Sequence, residues 1–127
     1  MKIGDTYEVT ITVTKNDTAK AVGSGTLDVF ATPKMLALME MSAYKAIESS
    51  LEDTQSSVGT YLDVKHVSAT PVGMNVTAKA EITLIDGRRV EFNVCAYDET
   101  GLIGEGKHER FIVNSDKFVA KTYQKLK

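Results

Sequence analysis

Glu40 is the first residue in this sequence whose type and setting suggest chemistry. In the helix that begins at Pro33, Leu36, Met39, Ala43, Ile47 and Leu51 gather on one side, while Lys34, Lys45, Glu48, Ser49 and Glu52 gather on the other. Glu40 projects between Ile47 and Leu51, from the apolar side. A carboxylate there must find partners or take up a proton, and a carboxyl shifted in that direction suits a general base working near neutrality. A structural ion pair at a subunit contact would account for the same position. His66 falls on the apolar face of a strand, where an imidazole needs hydrogen-bond partners whether it is catalytic or structural. Thr32 precedes Pro33 at the helix start, and helix capping alone would explain it.

The remaining candidates are weaker. His108 lies in the charged run Gly106-Lys107-His108-Glu109-Arg110, which reads as a solvated or interface-facing strand ladder. Cys95 alternates outward between Val94 and Ala96 with no histidine nearby in sequence, so a catalytic thiol is disfavoured. Two histidines and one cysteine without clustered spacing predict no metal site. There is no glycine-rich phosphate loop and no Gly-x-Ser-x-Gly elbow, which argues against a P-loop nucleotide site and an α/β-hydrolase triad.

The elements that must position these residues follow from periodicity. Tyr7, Val9, Ile11 and Val13 alternate with polar residues, so Thr6 to Val13 reads as a strand. Thr14 to Asp28 is polar and glycine-containing and reads as a mobile segment. The helix, with Thr32 as its N-cap, runs to about Leu51, and Glu52 to Ser57 is a polar connection. From Val58 to Ser68 a regular strand would put Val58, Leu62, Val64 and His66 on one face. Met74 to Ile85 alternates almost without fault, Asp86-Gly87 signals a two-residue hairpin turn, and Val90, Phe92, Val94 and Ala96 return on the same inward face. A turn at Asp98 to Gly101 leads to a fifth strand, Leu102 to Val113, and Lys117 to Lys127 is a basic amphipathic stretch. The order predicts an α+β domain in which one antiparallel sheet wraps one long helix. A sheet this small leaves edges and surface uncovered, so a homodimer is expected.

The totals agree with one domain. The chain has 127 residues, 43% of them apolar, enough for a single hydrophobic core and too few for two ordinary ones. A net charge of -2 with 25% charged residues gives no polyanion-binding surface, so nucleic acid is not an expected partner. The longest apolar stretch is broken by Lys34, Glu40 and Lys45, which argues against a membrane span. A lone cysteine and the lack of an apolar N-terminal run predict cytoplasmic residence.

Five segments in order carry a resemblance. Phe30-Ala31-Thr32-Pro33-Lys34-Met35 with Leu38-Met39-Glu40, Ser57-Val58-Gly59-Thr60, Val64 to Met74, Asp86-Gly87-Arg88-Arg89 and Gly106 to Arg110 look like the fluoroacetyl-CoA thioesterase family of hot-dog proteins. The resemblance runs from about Val29 to the C-terminus. It implies a dimeric hot-dog fold, hydrolysis of a small acyl-CoA thioester without metal or organic cofactor, and Thr32, Glu40 and His66 as the catalytic residues. It also implies that the Gly59 backbone N–H faces the thioester carbonyl and that Arg110 contacts substrate. In one respect the chain departs from the family. Where the fluoroacetyl-CoA enzyme carries a phenylalanine gate, this chain has Gly23-Ser24-Gly25-Thr26-Leu27-Asp28, so selectivity for a fluorinated acyl group is not expected. Two other functions fit the fold: a non-catalytic acyl-CoA binding protein, and an enoyl-CoA hydratase. The second needs a histidine near the helix start that Phe30 to Glu40 does not supply.

Overall fold

In the computed structural model, which describes residues 1–127, strands of alternating polarity assemble on the apolar side of one long helix. The strands are β1 (Thr6–Thr12), β2 (Gln55–His66), β3 (Asn75–Asp86), β4 (Arg89–Asp98) and β5 (Gly101–Asn114). They form one antiparallel sheet in the order β1-β3-β4-β5-β2. The helices are α1 (Ala19–Val22), α2 (Thr32–Glu48) and α3 (Ser115–Tyr123).

Helix α2 turns Met35, Leu38, Met39, Ala43 and Ile47 onto Val76, Ala78, Ala80, Ile82, Phe92 and Val94 of the sheet, all buried. Ala78 pairs with Ala96 across β3 and β4, and these small side chains leave room for the helix to lie close. Truncating a filled position such as Phe92 to Ala is expected to cost about 3–5 kcal/mol.

Local irregularities correct the sequence reading at four points, and each has a physical cause. The N-cap of α2 is Ala31, not Thr32, and Thr32 is already helical with Pro33 one position further on. The hydroxyl of Thr32 is thereby released from capping. The stretch from Thr14 to Asp28 contains ordered elements: a 3-10 turn at Lys15–Asp17, where Asp17 accepts from the Thr14 backbone N–H, and α1, where Thr18 accepts from the Ala21 N–H. The β3–β4 turn is Gly87-Arg88, one residue later than expected. Gly87 has φ 61 and Arg88 is not left-handed, which is the type II′ pattern with glycine at the first central position.

The fourth correction comes from β-bulges. In β2 the register with β5 shifts between Gly59 and Tyr61, so Thr60 is an extra residue. Upstream of it Ser57 and Gly59 lie opposite the buried Ile112 and Arg110, and downstream Leu62 lies opposite the buried His108. Val58 therefore pairs with exposed Phe111 on the outer face and does not share the inner face with Leu62, Val64 and His66. A similar shift between Ile82 and Leu84 brings Ile85, opposite Val90, back to the core in place of Leu84.

Candidate functional site

Thr32 and His66 meet at the N-terminal end of α2. Released from capping, the Thr32 hydroxyl lies 2.7 Å from His66 Nδ1. His66 is the last residue of β2, and its Nε2 is buried with no hydrogen-bond partner in the protomer. Burial lowers the pKa of this imidazole, with the Ser68 backbone acting in the opposite direction, so the ring is neutral at pH 7. If Thr32 donates to Nδ1, Nε2 carries the proton and is an unused donor. The pair borders a cleft of about 290 Å³ lined also by Phe30, Ser24 and Ala19.

Glu40 sits eight residues along α2 from Thr32, about 12 Å at the helical rise. It does not reach Thr32 or His66 in the protomer. Its carboxylate instead faces Gly59, which the Thr60 bulge turns inward. A Cβ on Gly59 would lie 2.5 Å from Glu40 Oε2 and 3.2 Å from His108 Cε1, so only glycine permits this approach.

Behind Glu40 stands Arg110, its side chain 8% exposed. Its Nε donates to Ser57 Oγ at 2.8 Å and Nη2 to the Ser57 carbonyl at 2.9 Å. Nη1 points between His108 Nε2 at 3.2 Å and Glu40 Oε2 at 3.5 Å, and the guanidinium centre is 5.8 Å from the Tyr44 ring centroid. Burial lowers the Arg110 pKa while Glu40 opposes that shift, and the guanidinium stays charged.

His108 is 1% exposed, which corrects its reading as part of a solvated ladder. Its Nδ1 is 2.8 Å from the Tyr61 carbonyl, so Nδ1 carries the proton and Nε2 accepts from Arg110. Burial holds its pKa low, the Tyr61 carbonyl opposes this, and the Arg110 charge adds to the lowering. The alternation Gly106, His108, Arg110, Ile112 carried the signal for this face, since Ile112 is plainly apolar. The charges at Lys107, Glu109 and Arg110 masked it. Ser57 could not be found without knowing of the bulge.

The sequence-predicted residues thus fall into two clusters, Thr32 with His66, and Glu40 with Gly59 and Arg110. Both lie along β2, the edge strand whose outer side has no neighbour in the protomer.

Comparison with known proteins agrees with this architecture. A structure of the fluoroacetyl-CoA thioesterase FlK superposes with TM-score 0.94 at 35% identity, covering 98% of this chain and 97% of that one. A mutant of the same enzyme is known in complex with fluoroacetate and CoA. A hot-dog-like protein from Thermanaerovibrio acidaminovorans gives TM-score 0.90 at 23% identity over 100% of this chain and 94% of its own, a likeness of fold alone. The fluoroacetyl-CoA thioesterase of Streptantibioticus cattleyicolor is 43% identical over 98 residues, 77% of this chain and 70% of that protein. The fold is a hot-dog and the class is that of the thioester hydrolases. Residues 13–116 match the family model of the fluoroacetyl-CoA-specific thioesterases, and the chain belongs to that family.

Proposed function

We propose that the protein hydrolyses small acyl-CoA thioesters, without selectivity for the fluoroacetyl group, at a site shared between the two subunits of a homodimer. The observation that carries this reading is the division of the polar residues into two clusters along the free edge of β2. Gly59 and His66 are seven residues apart on that strand, about 23 Å if extended. Two β2 edges paired antiparallel about an axis near Leu62 and Asp63 would bring the partner's His66 beside Gly59, and the partner's Thr32 beside Glu40. Such pairing would also satisfy the unpaired backbone groups of the edge.

In such a site Glu40 takes a proton from water as the water oxygen bonds to the thioester carbonyl carbon. The C–S bond then breaks, and the departing sulfur leaves as free thiol after protonation, with the acid as the other product. The same carboxylate could instead attack the carbonyl, releasing thiol and forming an anhydride that water opens. Thr32 orients the carboxylate or the water, and the unused Nε2–H of His66 donates toward developing charge or the leaving sulfur. The Gly59 N–H would face the carbonyl oxygen, and the Arg110 charge beside it would favour an anionic transition state.

The stretch Gly23 to Asp28 supports broad acyl acceptance, because it has no aromatic side chain to close over the cleft and contributes only Ser24 to its lining. The test is a panel of acyl-CoA compounds with free-thiol detection, run beside calorimetric binding. Thiol release is expected, with kcat/KM for acetyl-CoA and fluoroacetyl-CoA within about tenfold, at or below the low end of the roughly 10- to 200-fold that a pocket discriminating one small group commands. Binding without thiol release would instead identify an acyl-CoA binding protein. Loss of enoyl absorbance without thiol release would identify a hydratase.

A further inference from the structure

Arg110 and Glu40 are oppositely charged and adjacent, yet their contact is a single one at 3.5 Å. An unhindered arginine and carboxylate close to about 2.7–2.9 Å, often through two parallel bonds. Three contacts hold the guanidinium to the sheet instead: two to Ser57, and the one from Nη1 to His108 Nε2. The last shares its donor group with Glu40. His108 can accept there only because its other nitrogen is committed to the Tyr61 carbonyl, and its ring is held against Phe92, with centroids 5.9 Å apart and planes 26° from parallel.

We propose that His108 is a positioning residue for hydrolysis, a neutral acceptor that holds Arg110 Nη1 back from Glu40 and leaves the carboxylate free for water or the thioester. This rests on the reading of Glu40 as base or nucleophile. An arginine closed onto Glu40 would occupy its lone pairs and stabilise its charge, and both effects reduce its reactivity toward a proton or a carbonyl. The surroundings of His108 keep it in the accepting form. Charged groups facing it are Arg110 and Glu109 from its own strand and Glu40 from α2; β2 offers the Tyr61 carbonyl and β4 the Phe92 ring. Burial and the Arg110 cation disfavour a second proton on the ring.

The test compares His108→Gln with His108→Asn. The Gln carbonyl reaches the place of Nε2, whereas the Asn amide reaches only that of Nδ1, so both keep a polar group while one alone retains the acceptor for Arg110. Against the wild type, His108→Asn should lower kcat about tenfold with KM changed less than about twofold, and move the acid limb of the kcat profile to lower pH. His108→Gln should recover most of kcat and the original limb. A crystal structure of His108→Asn should place Nη1 about 2.8 Å from Glu40 Oε2, in place of 3.5 Å. Equal kcat, equal acid limbs and an unchanged spacing in the two variants would overturn the proposal. Glu40→Gln, assayed in parallel, separates the two ideas: if it abolishes turnover while the His108 variants behave alike, only the role of His108 falls. If Glu40→Gln turns over normally, the hydrolytic role of Glu40 falls, and the contraction in the His108→Asn crystal structure still decides whether His108 holds Arg110 back.

Discussion

The two polar clusters along β2 are built in different ways. Thr32 and His66 meet through one hydrogen bond at the rim of an open cleft, with a ring nitrogen left without a partner. Around Glu40, a buried arginine is fixed by Ser57 and His108, a bulge turns Gly59 inward, and no side chain intervenes between that glycine and the carboxylate. The second cluster is fixed from several sides within the protomer, whereas the first rests on a single hydrogen bond and leaves His66 Nε2 without a partner. The difference is in keeping with the proposed division of labour, in which Glu40 carries the charge chemistry and Thr32 and His66 supply orientation and proton donation.

The largest test of that division is Glu40→Gln. The amide keeps the volume and a hydrogen bond from Arg110 while removing basicity, so the fold should persist and thioester hydrolysis should fall by at least about 100-fold. Near-normal turnover by the purified variant, measured beside its melting temperature, would remove Glu40 from the mechanism. A melting temperature sharply lowered with turnover retained would make it a structural ion pair.

Mixing subunits sharpens the comparison further. Glu40→Gln and His66→Ala each damage a different cluster, so homodimers of either should be impaired. If the clusters join across the interface, a mixed dimer contains one intact site, and random exchange should restore about a quarter of wild-type activity. Sites confined to one protomer would show no recovery when the two variants are unfolded together and refolded.

Gly59→Ala tests the second cluster by steric means. The added methyl would lie 2.5 Å from Glu40 Oε2, and the carboxylate, as the end of a flexible side chain, is the group able to move. Folding should survive while kcat falls roughly 10- to 100-fold, the scale for a misplaced reacting group. Wild-type kcat would mean that the contact between Gly59 and Glu40 is not used.

Regular periodicity was enough to read the order of the strands, the long helix and the inward face of β3 and β4 as far as Ile82. Legibility ended where one residue broke the period. Thr60 reverses the faces of β2 and Thr83 those of β3, and neither residue type announces a bulge. Thr32 was found for its family position but misread locally, because threonine before proline fits an N-cap as well as the first helical turn. Glu40 was legible as an acidic residue on the apolar side of the helix, but its charged partner was not, since Arg110 approaches it from β5, 70 residues further along the chain, and is held there by Ser57 of β2. His108 was lost among neighbouring charges although its alternation with Ile112 placed it inside.

The smallest expected effect concerns the two histidines, which belong to different clusters and share a sign. Burial lowers both pKa values below the ordinary 6.5, so between that value and the folded-state values the unfolded chain binds more protons than the folded one. Stability should therefore be fully present above about pH 7 and decline as the pH falls below about 6.5. Carboxylates held low in the folded state act the same way in a lower window. Glu109, bonded first by the Thr60 hydroxyl, loses its contribution only as the pH falls below 4.5. Melting curves between pH 5.5 and 7.5 thus isolate the histidines, and the melting temperature should drop by roughly a few degrees over that range. His66→Gln and His108→Gln should each flatten part of the slope, and the double variant most of it. A wild-type melting temperature that does not change with pH over this range would mean that neither ring is kept neutral by the fold. A slope removed entirely by His108→Gln would place the pH response in the Glu40 cluster alone and leave His66 free to take up a proton in the folded protein.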